Sequence, residues 1–104
     1  MKKQTIAIIG GSQEQTFIKV GKKFNCNVLF HNGKTRNGGV KKDFKNIVKK
    51  SDCVIIMLGA CGHITMDIVK KLCKEFDKPV IFQHGFGASL AIQKGVEAVS
   101  KAAA

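Results

Sequence analysis

The chain has 104 residues, the size of one domain around one core, so residues 1–104 read as a single α/β domain with room for one site region. Hydrophobic residues are 44% and charged residues 24%, which excludes wholesale disorder, collagen-like sequence and low-complexity scaffolds. Eighteen Lys and Arg against seven Asp and Glu leave a formal charge of +11, which points to an anionic partner rather than a neutral small substrate.

Thr5-Ile6-Ala7-Ile8-Ile9 is an apolar, β-branched strand pattern stopped by Gly10-Gly11-Ser12, and Phe17, Ile18, Val20, Gly21 and Phe24 then mark the apolar side of a helix. Cys26 to Phe30 predicts a second strand ending at His31-Asn32-Gly33, followed by the loop Lys34 to Val40. A short helix is expected from about Asp43 to Lys50, with Asp43 as its N-cap or in its first turn, where a carboxylate suits the helix dipole.

A third strand, Cys53 to Leu58, ends at Gly59-Ala60-Cys61-Gly62. The helix after it places Ile64, Ile68, Val69, Leu72, Cys73 and Phe76 on its apolar stripe. Lys78 to Phe82 predicts the fourth strand, Gln83-His84-Gly85-Phe86-Gly87 a turn, and Ala88 to Ala103 the closing helix.

Four strand–helix units with unbroken apolar strands predict a parallel sheet covered by helices on both faces. The simplest strand order is 2-1-3-4, a minimal doubly wound sheet of Rossmann or flavodoxin type. The longest nearly uncharged stretch, Cys53 to Met66, contains His63 and two glycines and is too short and polar to span a bilayer. No signal-peptide core follows Met1, so a cytoplasmic protein without a membrane partner is expected. Cys26, Cys53, Cys61 and Cys73 form no Cys-x-x-Cys pair or zinc-finger spacing, and a disulfide framework is not expected.

Ligands of open parallel sheets bind at the carboxyl ends of the strands, where glycine turns meet helix N-termini. That edge is spelled by Gly10-Gly11-Ser12, His31-Asn32-Gly33, Gly59 to His63, and Gln83 to Ser89, and all three histidines, His31, His63 and His84, fall on it. Cys61 precedes a helix and lies two residues before His63; a helix dipole and a nearby imidazolium would both lower its pKa, making it a nucleophile, redox or soft-ligand candidate. Cys26, Cys53 and Cys73 read as core thiols.

Catalytic signatures are missing. Asp67 stands where a Cys-x5-Arg phosphatase cradle needs arginine, and the Gly10 turn does not fit G-x-G-x-x-G. The second strand lacks a ribose-binding acid, no Walker sequence occurs, and the seven acids are scattered.

Two binding readings remain. In the first, Gly10, Gly11, Ser12, Gly62, Gly87 and Ser89 present N–H and hydroxyl groups to phosphates, and His31, Asn32, His63 and His84 read or clamp the ligand. Lys34 and Arg36 add charge, Lys41, Lys42 and Lys45 track a nucleic-acid backbone, and Phe86 stacks on a base. Single-stranded RNA or DNA, a nucleotide or another polyanion is the expected partner. In the second, Cys61 and His63, with His31 and His84 nearby, hold zinc or haem iron. The apolar run Val28-Leu29-Phe30 on an exposed sheet edge also predicts a homodimer.

The assembled pattern resembles the small bacterial family known as domain of unknown function 2325. The resemblance rests on Ile6-Ala7-Ile8-Ile9-Gly10-Gly11, His31-Asn32-Gly33, Asp52-Cys53-Val54-Ile55-Ile56 leading to Cys61-Gly62-His63, Val69 to Lys74, Lys78-Pro79-Val80 and Gly87-Ala88-Ser89-Leu90. It implies the same minimal parallel sheet, a non-catalytic or uncharacterised bacterial protein, RNA as one candidate partner, and a Cys/His centre related to haem or metal. By position that centre would be Cys61 and His63, with Cys53 and Cys73 secondary. Gly62 stands where the family pattern has serine or asparagine; its lack of a side chain removes an N-cap and favours backbone anion contacts.

Overall fold

The computed structural model describes residues 4–33, 40–84 and 87–103, and of residues 40–42 and 100–103 only the backbone. Strands and helices alternate: β1 (Gln4–Ile9), α1 (Glu14–Lys23), β2 (Cys26–His31), α2 (Val40–Lys50), β3 (Cys53–Met57), α3 (His63–Glu75), β4 (Val80–Gln83) and α4 (Ala88–Ala103). The strands form one parallel sheet in the order β2-β1-β3-β4.

Successive side chains of a strand point to opposite faces, so a sheet covered on both faces needs apolar residues at every position. Ile6 and Ile8 of β1, with Ile55 and Met57 of β3, pack against Phe17, Val20, Ala91 and Ile92 of α1 and α4. Ala7, Ile9, Val54 and Ile56 face the other way, onto Phe44 and Val48 of α2 and Val69 and Leu72 of α3. Crossovers of one hand dictate this layering: the step from β1 to β2 runs opposite to the steps from β2 to β3 and β3 to β4.

Two glycines set the closeness of the helices to the sheet. A Cβ on Gly21 would meet Val28 Cγ2 at 2.5 Å, and one on Gly95 would meet Ile6 Cδ1 at 2.7 Å. Helices α1 and α3 both stop at a phenylalanine followed by a short polar residue in left-handed conformation, Asn25 at φ 58° and Asp77 at φ 54°. Such residues tolerate that conformation and close the helix with backbone bonds.

Several element boundaries differ from the sequence expectation: β1 begins at Gln4 rather than Thr5, and β2 runs to His31 rather than Phe30. Helix α2 begins at Val40 rather than near Asp43, leaving Asp43 in its first turn. Leu58 leaves the sheet to open a turn, its N–H donating to the carbonyl of Gln83 at 2.8 Å. The fourth strand runs from Val80 to Gln83, because Pro79 accepts a 2.9 Å bond from Val54 N–H but has no N–H to return. No helix among the described residues is long and apolar enough to cross a membrane.

Candidate functional site

In the order β2-β1-β3-β4 the chain leaves β1 toward one edge and β3 toward the other, so the topological switch point lies between their carboxyl ends. Gly10 and Gly11 follow β1 at φ 114° and 97°, a pair of left-handed conformations that only glycine adopts readily. They turn the backbone sharply across the sheet edge before Ser12, Gln13 and α1. The turn after β3 lies directly against them: a Cβ on Gly10 would come within 2.9 Å of the Cys61 sulfur and 3.3 Å of Ala60.

The turn after β2 closes the arrangement. Gly10 N–H donates to the carbonyl of His31 at 2.8 Å, and Gly33 N–H donates to His31 Nδ1 at 2.9 Å. The buried Thr65 hydroxyl, in the first turn of α3, donates to the carbonyl of Gly33 at 2.7 Å. A Cβ on Gly33 would meet the Cys61 sulfur at 2.9 Å and the Gly10 α-carbon at 3.1 Å. The sulfur of Cys61 thus sits where three turns meet, its thiol donating to the carbonyl of Ile9 at 3.3 Å.

This placement corrects the expectation of an acidified cysteine. Burial pushes the Cys61 thiol above its ordinary pKa, because the surrounding turns exclude water that would solvate a thiolate. Burial likewise lowers the pKa of His31, opposed in part by the negative charge of Asp43. Its ring packs against Phe44 with centroids 4.4 Å apart. Since Nδ1 accepts the Gly33 N–H, the neutral ring carries its proton on Nε2. His31 therefore braces the turn with one nitrogen, leaving the other for further bonding.

A partly open cavity of about 80 Å³ lies at the switch point, lined by Gly10, Gly11, Ser12, Gln13, Phe17, Met57 and Ala60. A broader depression of about 510 Å³ shares Gly11, Ser12 and Ala60 with it and adds Glu14, Phe30 and Asn32. Two of the helix ends at this edge lack side-chain caps: neither Gln13 before α1 nor Gly62 before α3 makes one. The absence of a cap at Gly62 agrees with its lack of a side chain, and first-turn N–H groups remain for a ligand oxygen.

Gly10, Gly11, Ser12 and Asn32 are thus brought together, with His31 directly behind them. Gly62 and His63 are exposed where α3 begins, His84 is exposed after β4, and Gly87 and Ser89 are exposed at the start of α4. Lys45 is exposed on α2, outside the cavity and depression. Lys34, Arg36 and Phe86 lie outside the described residues, as do the side chains of Lys41 and Lys42. No lysine or arginine lines the cavity or the adjoining depression among the described residues, whereas Glu14 does. Among the described residues no three His, Cys, Asp or Glu side chains come together as metal ligands. Cys26, Cys53 and Cys73 are buried in the core, as their sequence positions imply.

The sequence reading put Gln83 in the turn on this edge without giving it a role; it closes β4 and is only 3% exposed. Its Nε2 donates to the carbonyl of His84 at 2.9 Å, while its Oε1 is buried with no partner among the described residues. Gln83 pairs in register with Met57, a wall of the cavity, and lies on the same face of the sheet. A polar residue closing an otherwise apolar strand was its only signal. Thr65 was missed, since nothing local reveals that its hydroxyl reaches the turn after β2.

No solved structure matches the chain. It is 44% identical over 93 residues to a UPF0751 protein of Bacillus anthracis strain A0248, covering 89% of this chain and 93% of that protein. A UPF0751 protein of Bacillus cereus strain AH820 is 43% identical over the same length and shares. Another from Desulfitobacterium hafniense strain Y51 is 34% identical over 92 residues, covering 86% of this chain and 89% of its own. Residues 5–99 match the family described as an uncharacterized protein conserved in bacteria, DUF2325, and the chain belongs to that family.

Proposed function

We propose that this chain is a non-enzymatic, cytoplasmic, single-domain binder of a phosphate-bearing ligand, single-stranded nucleic acid or a nucleotide, at the carboxyl edge of its sheet. The observation that carries the reading is the cavity at the switch point, continuous through Gly11, Ser12 and Ala60 with the wider depression beside it. Backbone N–H groups of Gly11 and Ser12 and of the uncapped first turns of α1 and α3 supply phosphate contacts without a charged side chain, while Gly10, whose own N–H is held by the His31 carbonyl, shapes the turn. Gly62, Gly87 and Ser89 extend those contacts, Asn32 and Nε2 of His31 meet the ligand from the β2 side, and the exposed His63 and His84 flank it.

The net charge of +11 supplies long-range attraction, with Lys34, Arg36, Lys41, Lys42 and Lys45 following the phosphate backbone and Phe86 stacking on a base. A zinc or haem module centred on Cys61 and His63 has less in its favour, because the Cys61 thiol is engaged with the Ile9 carbonyl and burial opposes its ionisation.

The test is a fluorescence-anisotropy titration of the protein into labelled single-stranded RNA and duplex DNA at about 50 and 200 mM salt. A protein making several phosphate contacts loses affinity steeply over that range through counterion release. Tight, salt-sensitive, single-strand-preferring binding, weakened by Ser12→Glu, is the expected result. Micromolar or weaker binding to both probes at low salt, or binding untouched by Ser12→Glu, overturns the reading.

A further inference from the structure

Strand β2 forms one edge of the sheet and, among the described residues, pairs only with β1. The His31 carbonyl accepts the Gly10 N–H, so the backbone groups of His31 face β1. The N–H and C=O of one strand residue point to the same side and alternate along the chain. Those of Asn27 and Leu29 therefore face β1 as well, while those of Val28 and Phe30 face outward. Sheet edges are normally blunted by proline, lysine or a bulge, and Cys26-Asn27-Val28-Leu29-Phe30-His31 has neither a proline nor a charged lysine.

A groove of about 510 Å³ straddles this edge, walled by Ile18 and Lys22 of α1, Cys26, Val28 and Leu29 of β2, and Lys50 of α2. The two helices lie on opposite faces of the sheet, so the groove wraps the edge itself. It also includes Thr5 at the start of β1, which places it toward the amino ends of the strands, and the edge runs on from it to Phe30, which lines the depression at the carboxyl end. Val28 and Leu29 are half-buried and Lys22 and Lys50 are exposed. The nearby Asp52 carboxylate accepts the Thr5 N–H at 2.8 Å and is not part of the groove wall.

We propose that the free edge of β2 docks an extended, acidic segment of another protein as an added strand. Outward backbone groups at Val28 and Phe30 would pair with the segment's main chain, the apolar floor would take alternate side chains, and Lys22 and Lys50 would meet its carboxylates. A second copy of this chain fits less well. It carries the same +11 charge, which repels a second copy at long range.

The experiment uses a fluorescein-labelled peptide with an alternating valine–threonine centre flanked by aspartates, and a twin flanked by lysines. The acidic peptide should bind at least about tenfold more tightly than its twin, a difference of the size that rim charges produce. Val28→Pro removes an outward N–H without touching the β1 ladder and should abolish binding while leaving the circular dichroism unchanged. The charge reversal Lys22→Glu with Lys50→Glu tests the surface independently of any folding defect and should invert the preference toward the lysine-flanked twin. Equal binding of the two peptides, no binding of either, binding that survives Val28→Pro, or an acidic preference that survives the charge reversal overturns the proposal. So does a homodimer in sedimentation equilibrium that Val28→Pro dissociates, since the edge would then serve a second copy.

Discussion

The hydroxyl of Thr65 donates a 2.7 Å hydrogen bond to the carbonyl of Gly33, joining the first turn of α3 to the turn after β2. The bond is buried and spans 32 positions, so it fixes two walls of the sheet edge to one another. Thr65→Val keeps the shape but leaves the carbonyl without its donor, and should cost about 1–3 kcal/mol. The midpoint of urea denaturation reads this directly; an unchanged midpoint would show that the bond does not hold the turns together.

Gly33 and Cys61 should be energetically coupled. Gly33→Ala places a methyl group 2.9 Å from the Cys61 sulfur and also strains a residue at φ 81°. Cys61→Ala removes the clash with the sulfur and leaves the 3.1 Å approach to the Gly10 α-carbon and the backbone strain. A double-mutant cycle should therefore give a coupling on the order of 1 kcal/mol, with the double variant less destabilised than the two single effects summed. Simple additivity would mean that the neighbouring turns yield at no cost.

Alkaline unfolding should be governed by two core thiols. Burial pushes Cys53 from 9.0 up to about 12, reinforced by the neighbouring Cys73, and pushes Cys73 from 9.0 up to about 11. Both stay protonated in the folded chain while the unfolded chain begins to ionise near 9, so the unfolded state binds fewer protons and is favoured as pH rises. The stability is fully present below pH 9 and is lost progressively between there and about 11 to 12. Tm measured from pH 8 upward should fall, and Cys53→Ala or Cys73→Ala should flatten that fall even where either lowers Tm at neutral pH.

His31 produces the opposite dependence at low pH. Burial lowers its pKa below 6.5, so on acidification the unfolded chain takes up a proton before the folded one does. Stability is present above pH 6.5 and is lost as pH falls through that value toward the folded pKa. Protonation also removes the lone pair that accepts the Gly33 N–H. His31→Gln should reduce the acid sensitivity of Tm, and an unchanged acid slope would assign it to the carboxylates.

Gln83 should be suboptimal for stability. Its Oε1 is buried without a partner among the described residues, a cost of about 1–3 kcal/mol, and methionine has a similar shape with no such demand. Gln83→Met is expected to raise Tm. A lowered Tm would mean that the bond from Nε2 to the His84 carbonyl outweighs the stranded oxygen.

The sequence by itself determined the framework of this protein. Ile6 to Ile9, Cys53 to Met57 and the shorter runs in β2 and β4 are apolar at successive positions, which only strands covered on both faces require, and glycines mark where those strands stop. Parallel pairing and the edge carrying Gly10, Gly11 and the histidines follow from those local patterns, whereas 2-1-3-4 is only the simplest of the orders that right-handed crossovers allow, and strand pairing in the folded chain fixes it. Tertiary structure alone decided the chemistry at that edge. Whether Cys61 ionises easily depends on the water left around it by the turns after β1 and β2, not on its distance from His63 along the chain. The bracing role of His31, the reach of Thr65 to Gly33 and the stranded oxygen of Gln83 are likewise nonlocal. Periodicity records which face a residue takes; desolvation and hydrogen bonding are fixed only when distant segments meet.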